Sequence, residues 1–363
     1  MSINNKNYYL NLLDRKDPNG GSKAKADFNV IFTKLGFQEI DISCKGNNCK
    51  IIRFIYKQFI MPFVLMIKCT SLKKSDALFV QVPLYTNGII WKVIFMLKKI
   101  KKIKLVVVIH DIERLRKVYD FKKGDLRTED EYIRKSDTII CHNESMKQYL
   151  MDFGIPSDNI VILGIFDYLL DADKKLKRAS YENVRKIVIS GSMHEKRSPY
   201  IYKLLNSSVK GIELYLYGPL YNPKLVHTMT NNYQGCYPSD KIPFVMEGGW
   251  GLVWDGDSIE DCTGNYGEYL PYINQHKVSL YIAAGIPILI WYKAGLAQFV
   301  TENKIGIAIT DLRNLNDVIS KVDLQQYNEL VNNIISVREN IIKGKYAQNA
   351  IEKALQKCRV NNV

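Results

Sequence analysis

A fully apolar run, VVVI (106–109), ends in His110 and Asp111, with Glu113, Arg114 and Arg116 close behind. A strand that stops at an imidazole and a carboxylate holds a proton acceptor at its end and leaves the open side to a substrate, as general base chemistry requires. The same residues also suit an aspartate capping the next helix beside a packed histidine. A second pair of acids, Asp255 and Asp257, follows GLVW (251–254) and is split by one glycine. An Asp-x-Asp of this kind can chelate a metal against a diphosphate, or accept hydrogen bonds from ligand hydroxyls at a strand end, or cap a turn.

Cations recur at corners of the same type. In DRKDPNGGSKAKADF (14–28) Gly20 and Gly21 allow close backbone approach, Ser22 is in position to cap a helix, and Lys23 and Lys25 fall in its first turns. The loop suits an anion, with a solvated βα loop as the plainer reading; Asp17 lies in it too. SGSMHEKRSPY (190–200) repeats the pattern with Gly191, Ser192, Lys196 and Arg197, whose charges suit a diphosphate leaving group. In NQHKVSLYIAAGIPILI (274–290) Lys277 falls in the first turn of a short helix with Val278, Tyr281 and Ile282 on its apolar face and Gly285 at its end. A lysine in a first turn opposes the helix dipole, so it serves stability poorly and anion binding well.

These corners need strands to hold them. The first half offers 8–14, 38–42, 76–83, 104–111, 137–143 and 159–165, with helical patterns between. The second offers 186–192, 212–218, 251–256, 286–291 and 305–309. Alternation of this kind predicts an α/β fold with two open, mainly parallel sheets in tandem, and ligands beyond the carboxyl ends of their strands. The domains expected are 1–168 and 186–339, joined by a charged, non-periodic linker over 169–185. A final helical segment, patterned over 335–357, is expected to cross back to the first domain through 340–363. No G-x-G-x-x-G follows the first strand and no P-loop occurs, so nucleotide binding must rest on other features.

The 363 residues, 47% hydrophobic and 24% charged, suit two globular domains. The opening MSINNKNYYLNLLDR lacks the features of a secretory signal, and no run of 18 apolar residues occurs, which predicts a cytoplasmic protein. Seven scattered cysteines without a C-x-x-C pair support neither a disulfide framework nor a zinc site. Of the net charge of +14, residues 1–180 carry +12. Residues 51–110 hold 11 lysines and arginines and one acid, Asp76, interleaved with apolar side chains. That mixture suits an anionic membrane surface, or solvated faces of helices packed on a core. Nucleic acid is not expected, since no recognition motif accompanies the charge.

The blocks GLVWDGDSIEDCTGNYGEYL (251–270), NQHKVSLYIAAGIPILIWYKAGLAQFVTENKIGIAI (274–309), VIHDIERLR (108–116) and GIFDYL (164–169) resemble the bacterial β-1,6-galactofuranosyltransferase family of O-antigen and capsule assembly. VVIHD, GGWGLVW and LYIAAGIPILI are similar, more distantly, to glucosyltransferases that extend sugars on serine-rich-repeat adhesins. Both resemblances imply a GT-B architecture of two Rossmann-like domains, the acceptor mostly on the first and the sugar nucleotide mostly on the second. They imply no metal and no cofactor beyond the UDP-sugar donor. Galactofuranose transfer with inversion, to a sugar hydroxyl on a lipid-linked oligosaccharide, follows as the expectation. A UDP-glucose-dependent enzyme acting on a glycoprotein glycan is the alternative. The resemblance makes Lys277 the donor-binding lysine, with Asn274, Ser279 and Leu280 around it. It places the loop with Gly191 and Ser192 on the donor side and leaves both Lys196 and Arg197 as candidates; Tyr217 and Gly218 after their strand, and Asp255 and Asp257 at the end of theirs, are expected on the same side. Asp111 or His110 is the expected base, with Asp17 in reserve, and Gly20, Gly21 and Lys23 form the acceptor or phosphate loop. A peripheral position on the inner face of the cell membrane and a homo-oligomer are both compatible with this reading.

Overall fold

Short runs of aliphatic and β-branched residues, buried on both faces in the central strands, build two sheets in the computed structural model, which describes residues 5–12, 20–44, 50–84, 86, 88–117, 123–171, 176, 179–207, 209–227 and 232–360. The first sheet contains β1 (Asn7–Asn11), β2 (Gln38–Asp41), β3 (Ala77–Val82), β4 (Lys104–Ile109), β5 (Thr138–Cys141) and β6 (Ile160–Ile162), in the spatial order β2-β1-β3-β4-β5-β6. The second contains β7 (Lys186–Ser190), β8 (Glu213–Tyr217), β9 (Asn232–Gly235), β10 (Trp250–Val253), β11 (Ile288–Trp291) and β12 (Gly306–Ile309), in the order β12-β11-β10-β7-β8-β9. Every pairing is parallel. Parallel strands need helical crossovers, which cover both faces, and so β3 (ALFVQV) and β4 (KLVVVI) read as near-continuous apolar runs.

Each sheet reverses its winding once, between β1 and β3 in the first and between β7 and β10 in the second. Such a reversal opens a crevice at the carboxyl edge, because the crossovers on its two sides leave in opposite directions. Two compact units follow. One holds the described residues within Met1–Asp17, Lys25–Leu163 and Ala347–Val363; the other holds those within Pro18–Ala24 and Gly164–Tyr346.

Several elements differ from the sequence reading. β4 stops at Ile109 and β10 at Val253, so His110, Asp111 and Trp254 to Gly256 stand in loops beyond the strand ends. The edge strand β9 (NYQG) was not expected, because it has no β-branched residue and only half-buried or exposed ones. Ser22 is no cap, since the helix Gly20–Lys34 already begins two residues before it. The terminal helical pattern is two helices, Leu324–Lys343 and Lys345–Val360. Gly344, at φ 82°, stops the first in the left-handed conformation that glycine adopts without steric cost.

Candidate functional site

The second unit builds its corner around Lys277. The helix His276–Ala283 lies against β10 because Gly251 leaves room for Tyr281: a β-carbon on Gly251 would lie 2.3 Å from that ring. The buried Tyr281 hydroxyl accepts the Ser190 N–H at 2.9 Å and lies 3.2 Å from the Leu252 carbonyl and 3.3 Å from that of Val188. One phenol therefore stitches β7 to β10 where the winding reverses. At the other end of the helix, Gly285 (φ 68°) makes the terminating turn, with the Ile286 N–H donating to the Tyr281 carbonyl.

Lys277, in the first turn, donates to the Trp254 carbonyl at 3.1 Å and lies 3.6 Å from the Asp255 carboxylate. Both charges are largely buried, so the ammonium is held in place at the carboxyl end of β10. Trp254 itself is fully buried and donates from its indole to the Ser258 carbonyl. Asp257 is exposed; its N–H donates to the Thr263 carbonyl, and its carboxylate packs where a β-carbon on Gly264 would fall. Among the described residues no group of three or more His, Cys, Asp and Glu converges to hold a metal ion.

The loops after β7 and β8 meet beside this corner. A β-carbon on Gly218 would lie 1.9 Å from the Gly191 carbonyl oxygen, so only glycine fits at φ 151°. The Gly191 N–H donates to the Tyr217 carbonyl, and the half-buried Ser192 offers its carbonyl to Ser198. The Tyr217 hydroxyl accepts the Glu247 N–H, and burial pushes that phenol's pKa up. Of the two basic candidates, Arg197 stacks 4.6 Å over Tyr266. Its charge also reaches Tyr200, which the Asp255 charge reaches too. Lys196 is exposed, and its N–H donates to the His194 ring.

Three of the expected donor residues are engaged elsewhere. Asn274 donates to the Gly164 carbonyl at 3.0 Å, and the fully buried Ser279 donates to that of Phe166 at 2.6 Å. They tether the segment that opens this unit, and Leu280 is buried core. The lysine of the glycine loop belongs to the second unit: Lys23 donates to the Leu169 carbonyl at 2.9 Å and lies 4.8 Å over the Tyr168 ring. Tyr168 also stacks on His276 at 5.1 Å. Burial, with the Lys23 charge beside it, lowers the His276 pKa to about 4, so the imidazole is neutral at pH 7. Gln275 carried no signal in the sequence; it precedes the helix, is 5% exposed, and its amide has no hydrogen-bond partner among the described residues. Gly20 and Gly21 open the helix Gly20–Lys34, and Asp17 lies outside the described residues.

The first unit is built differently. From the β1/β3 reversal to the end of β4 runs a chain of amides. Asn11 donates to Glu39 at 2.6 Å, Asn29 to Asn11 at 3.0 Å, and Gln81 to Asn29 at 2.7 Å. The chain ends with His110 Nε2 at 2.7 Å from Gln81 Oε1. Gln81 spends its NH2 group on Asn29 and the Lys25 carbonyl, so its oxygen faces the imidazole. That assigns the ring proton to Nε2 and the basic lone pair to Nδ1. Asp111 lies 3.4 Å from Arg116, which also meets Glu113 at 3.5 Å. Glu129 accepts the N–H groups of Glu113 and Arg114 and so holds the short helix Glu113–Arg116. Lys25 donates to the Pro83 carbonyl; burial lowers its pKa to about 8 against the opposing pull of Asp111 and Glu113.

The glucosyltransferase 3-like N-terminal domain matches residues 6–165, and the glucosyltransferase 3-like C-terminal domain matches 187–354. The chain is 26% identical over 354 residues to beta-1,6-galactofuranosyltransferase WbbI of Escherichia coli (strain K12), covering 96% of this chain and 98% of that one. It is 23% identical over 291 residues to glucosyltransferase 3 of Streptococcus parasanguinis, covering 78% and 80%. In fold it is similar to HepE of Anabaena, solved with UDP and glucose, at a TM-score of 0.59 and 10% identity over 99% of this chain and 100% of that one. The two parallel sheets, each with one reversal, are the two halves of the GT-B fold, and the chain belongs to the glucosyltransferase 3-like family of glycosyltransferases.

Proposed function

We propose that this protein transfers galactofuranose from UDP-galactofuranose to a sugar hydroxyl of a lipid-linked oligosaccharide, with inversion at the anomeric carbon. The observation that carries the reading is the similarity to WbbI over 96% of the chain, together with a half-buried lysine at the β7/β10 reversal. UDP bound to a protein of the same fold supports a UDP-sugar donor.

In the reaction we infer, His110 or Asp111 takes the proton of the acceptor hydroxyl as its oxygen attacks the anomeric carbon. The bond from that carbon to the diphosphate breaks, and UDP leaves with the electron pair. Lys277 and Arg197 meet the charge that develops on the leaving oxygen, the task a divalent cation performs in other transferases. Asp255 holds Lys277 ready and, with Asp257, accepts hydrogen bonds from the donor sugar. On this account transfer persists in EDTA.

The glucosyltransferase 3-like family match favours a second reading, UDP-glucose-dependent transfer to a glycoprotein glycan. Turnover measured with UDP-galactofuranose, UDP-galactopyranose and UDP-glucose separates the two. Preference for UDP-glucose sinks the first reading, and turnover of none of the three sinks both.

A further inference from the structure

The helical stretch from Lys50 to Lys68 is one rod. The helix Lys50–Ile55 passes through a wider turn, Tyr56–Ile60, into the helix Met61–Lys68 without leaving helical backbone angles. Its inner side buries Met61, Leu65 and then Cys69. Its outer side carries Ile52, Ile55, Phe59, Phe63 and Ile67, three or four residues apart and therefore in one stripe. All five are exposed, Phe59 at 72% and Phe63 at 59%, and Phe54 adds another aromatic ring at 60%. The helix Gly88–Lys101 packs beside Met61–Lys68 and turns a similar stripe outward, Ile89, Met96 and Ile100, the last 69% exposed.

Neither the core nor the transfer chemistry calls for these side chains. Contiguous exposed apolar surface on this scale marks an interaction site. Charge selects the partner. Lys92 and Lys99 are exposed on the same outer face as Ile89 and Met96, and Lys68 is exposed at the end of the rod. Between residues 51 and 110 the only acid is Asp76, which is 3% exposed and accepts the Lys6 and Lys73 N–H groups. A second copy of the chain seated on this face by two-fold symmetry brings lysine against lysine. An anionic lipid surface instead complements the lysines while its acyl layer takes up the phenylalanines and isoleucines. Among the described residues no helix is long and apolar enough to cross a membrane, so the contact lies in the plane of the interface.

We infer that the outer face of Lys50–Lys68 and Gly88–Lys101 is a docking surface for anionic phospholipid bilayers. This inference rests on exposure and charge, and stands apart from the choice of donor. The test is co-sedimentation of the full-length protein with vesicles of phosphatidylcholine alone and of phosphatidylcholine mixed with phosphatidylglycerol. Binding is expected only to the mixed vesicles, falling as salt rises. The double variant Phe59→Ser/Phe63→Ser should partition at least tenfold less, by the order of magnitude that burying two aromatic side chains implies. Lys92→Gln/Lys99→Gln should lose about fivefold per lysine. All four positions are exposed, so folding is spared, and hydrolysis of a UDP-sugar in solution should be unchanged in both variants. Equal binding to both vesicle types, no binding to either, or unchanged binding by Phe59→Ser/Phe63→Ser overturns the inference. So does a dimer that the same variant dissolves in the absence of lipid. If no UDP-sugar is turned over, the transfer reading fails while the vesicle result stands.

Discussion

At the β7/β10 edge of the second unit an ammonium and a carboxylate face each other at 3.6 Å, largely buried. At the β1/β3 edge of the first unit the linking side chains are neutral amides, and they end on an imidazole. Two sheets of the same parallel design thus carry different chemistry at their reversals. A diphosphate leaving group calls for fixed positive charge, which is strongest where water is excluded. A hydroxyl nucleophile calls for an oriented base and polar groups that bind without charge. On the proposed function, the fold supplies the crevice and the side chains divide the task.

The largest effect should come from separating these tasks. Lys277→Ala is expected to lower kcat/KM by about 10²–10³-fold, as losing an oxyanion-stabilising group does. It should depress donor hydrolysis and sugar transfer alike. His110→Ala should lower transfer by about 10²-fold and leave hydrolysis without acceptor nearly intact. Parallel losses of both activities in both variants would break the comparison, and steady-state rates with and without acceptor decide it.

Acid should act on both units. His142, buried against the Ile109 carbonyl, and His276 each have their pKa lowered by burial from 6.5 to about 4. The unfolded chain takes up these protons first, so stability falls as pH drops from 6.5 through 4. The loss reaches about 3 kcal/mol for each group once pH is below 4. Lys25 acts with the same sign in a higher window: its pKa is lowered from 10.5 to about 8, so the cost of burying it is relieved as pH rises from 8. Chemical denaturation across pH 4–9, with His276→Gln flattening part of the acid limb, measures both slopes.

Gly251→Ala drives a β-carbon into the Tyr281 ring and should cost about 1–3 kcal/mol, read as a lower melting temperature and a raised donor KM. Gln81→Leu should be mildest, about tenfold in kcat with donor KM unchanged, because it frees the imidazole tautomer without removing the base. A shifted pH profile of kcat distinguishes that positioning role from a loss of packing.

Much of this was legible in the sequence. The alternation of strands and helices, Lys277 in a first turn, and the glycines at 191 and 285 follow from local periodicity and from residue types that tolerate few environments. Tertiary structure alone decided the partners. Asn274 and Ser279 were expected at the donor and are tied to carbonyls 110 and 113 residues away. Lys23 was expected on the acceptor side and reaches Leu169, 146 residues on. Asn11, Asn29 and Gln81 showed no pattern because a hydrogen-bond chain leaves no period along the chain. Sequence spacing determines which face of an element a side chain occupies; which polar group it meets depends on how distant segments pack, and that is settled only when the core closes.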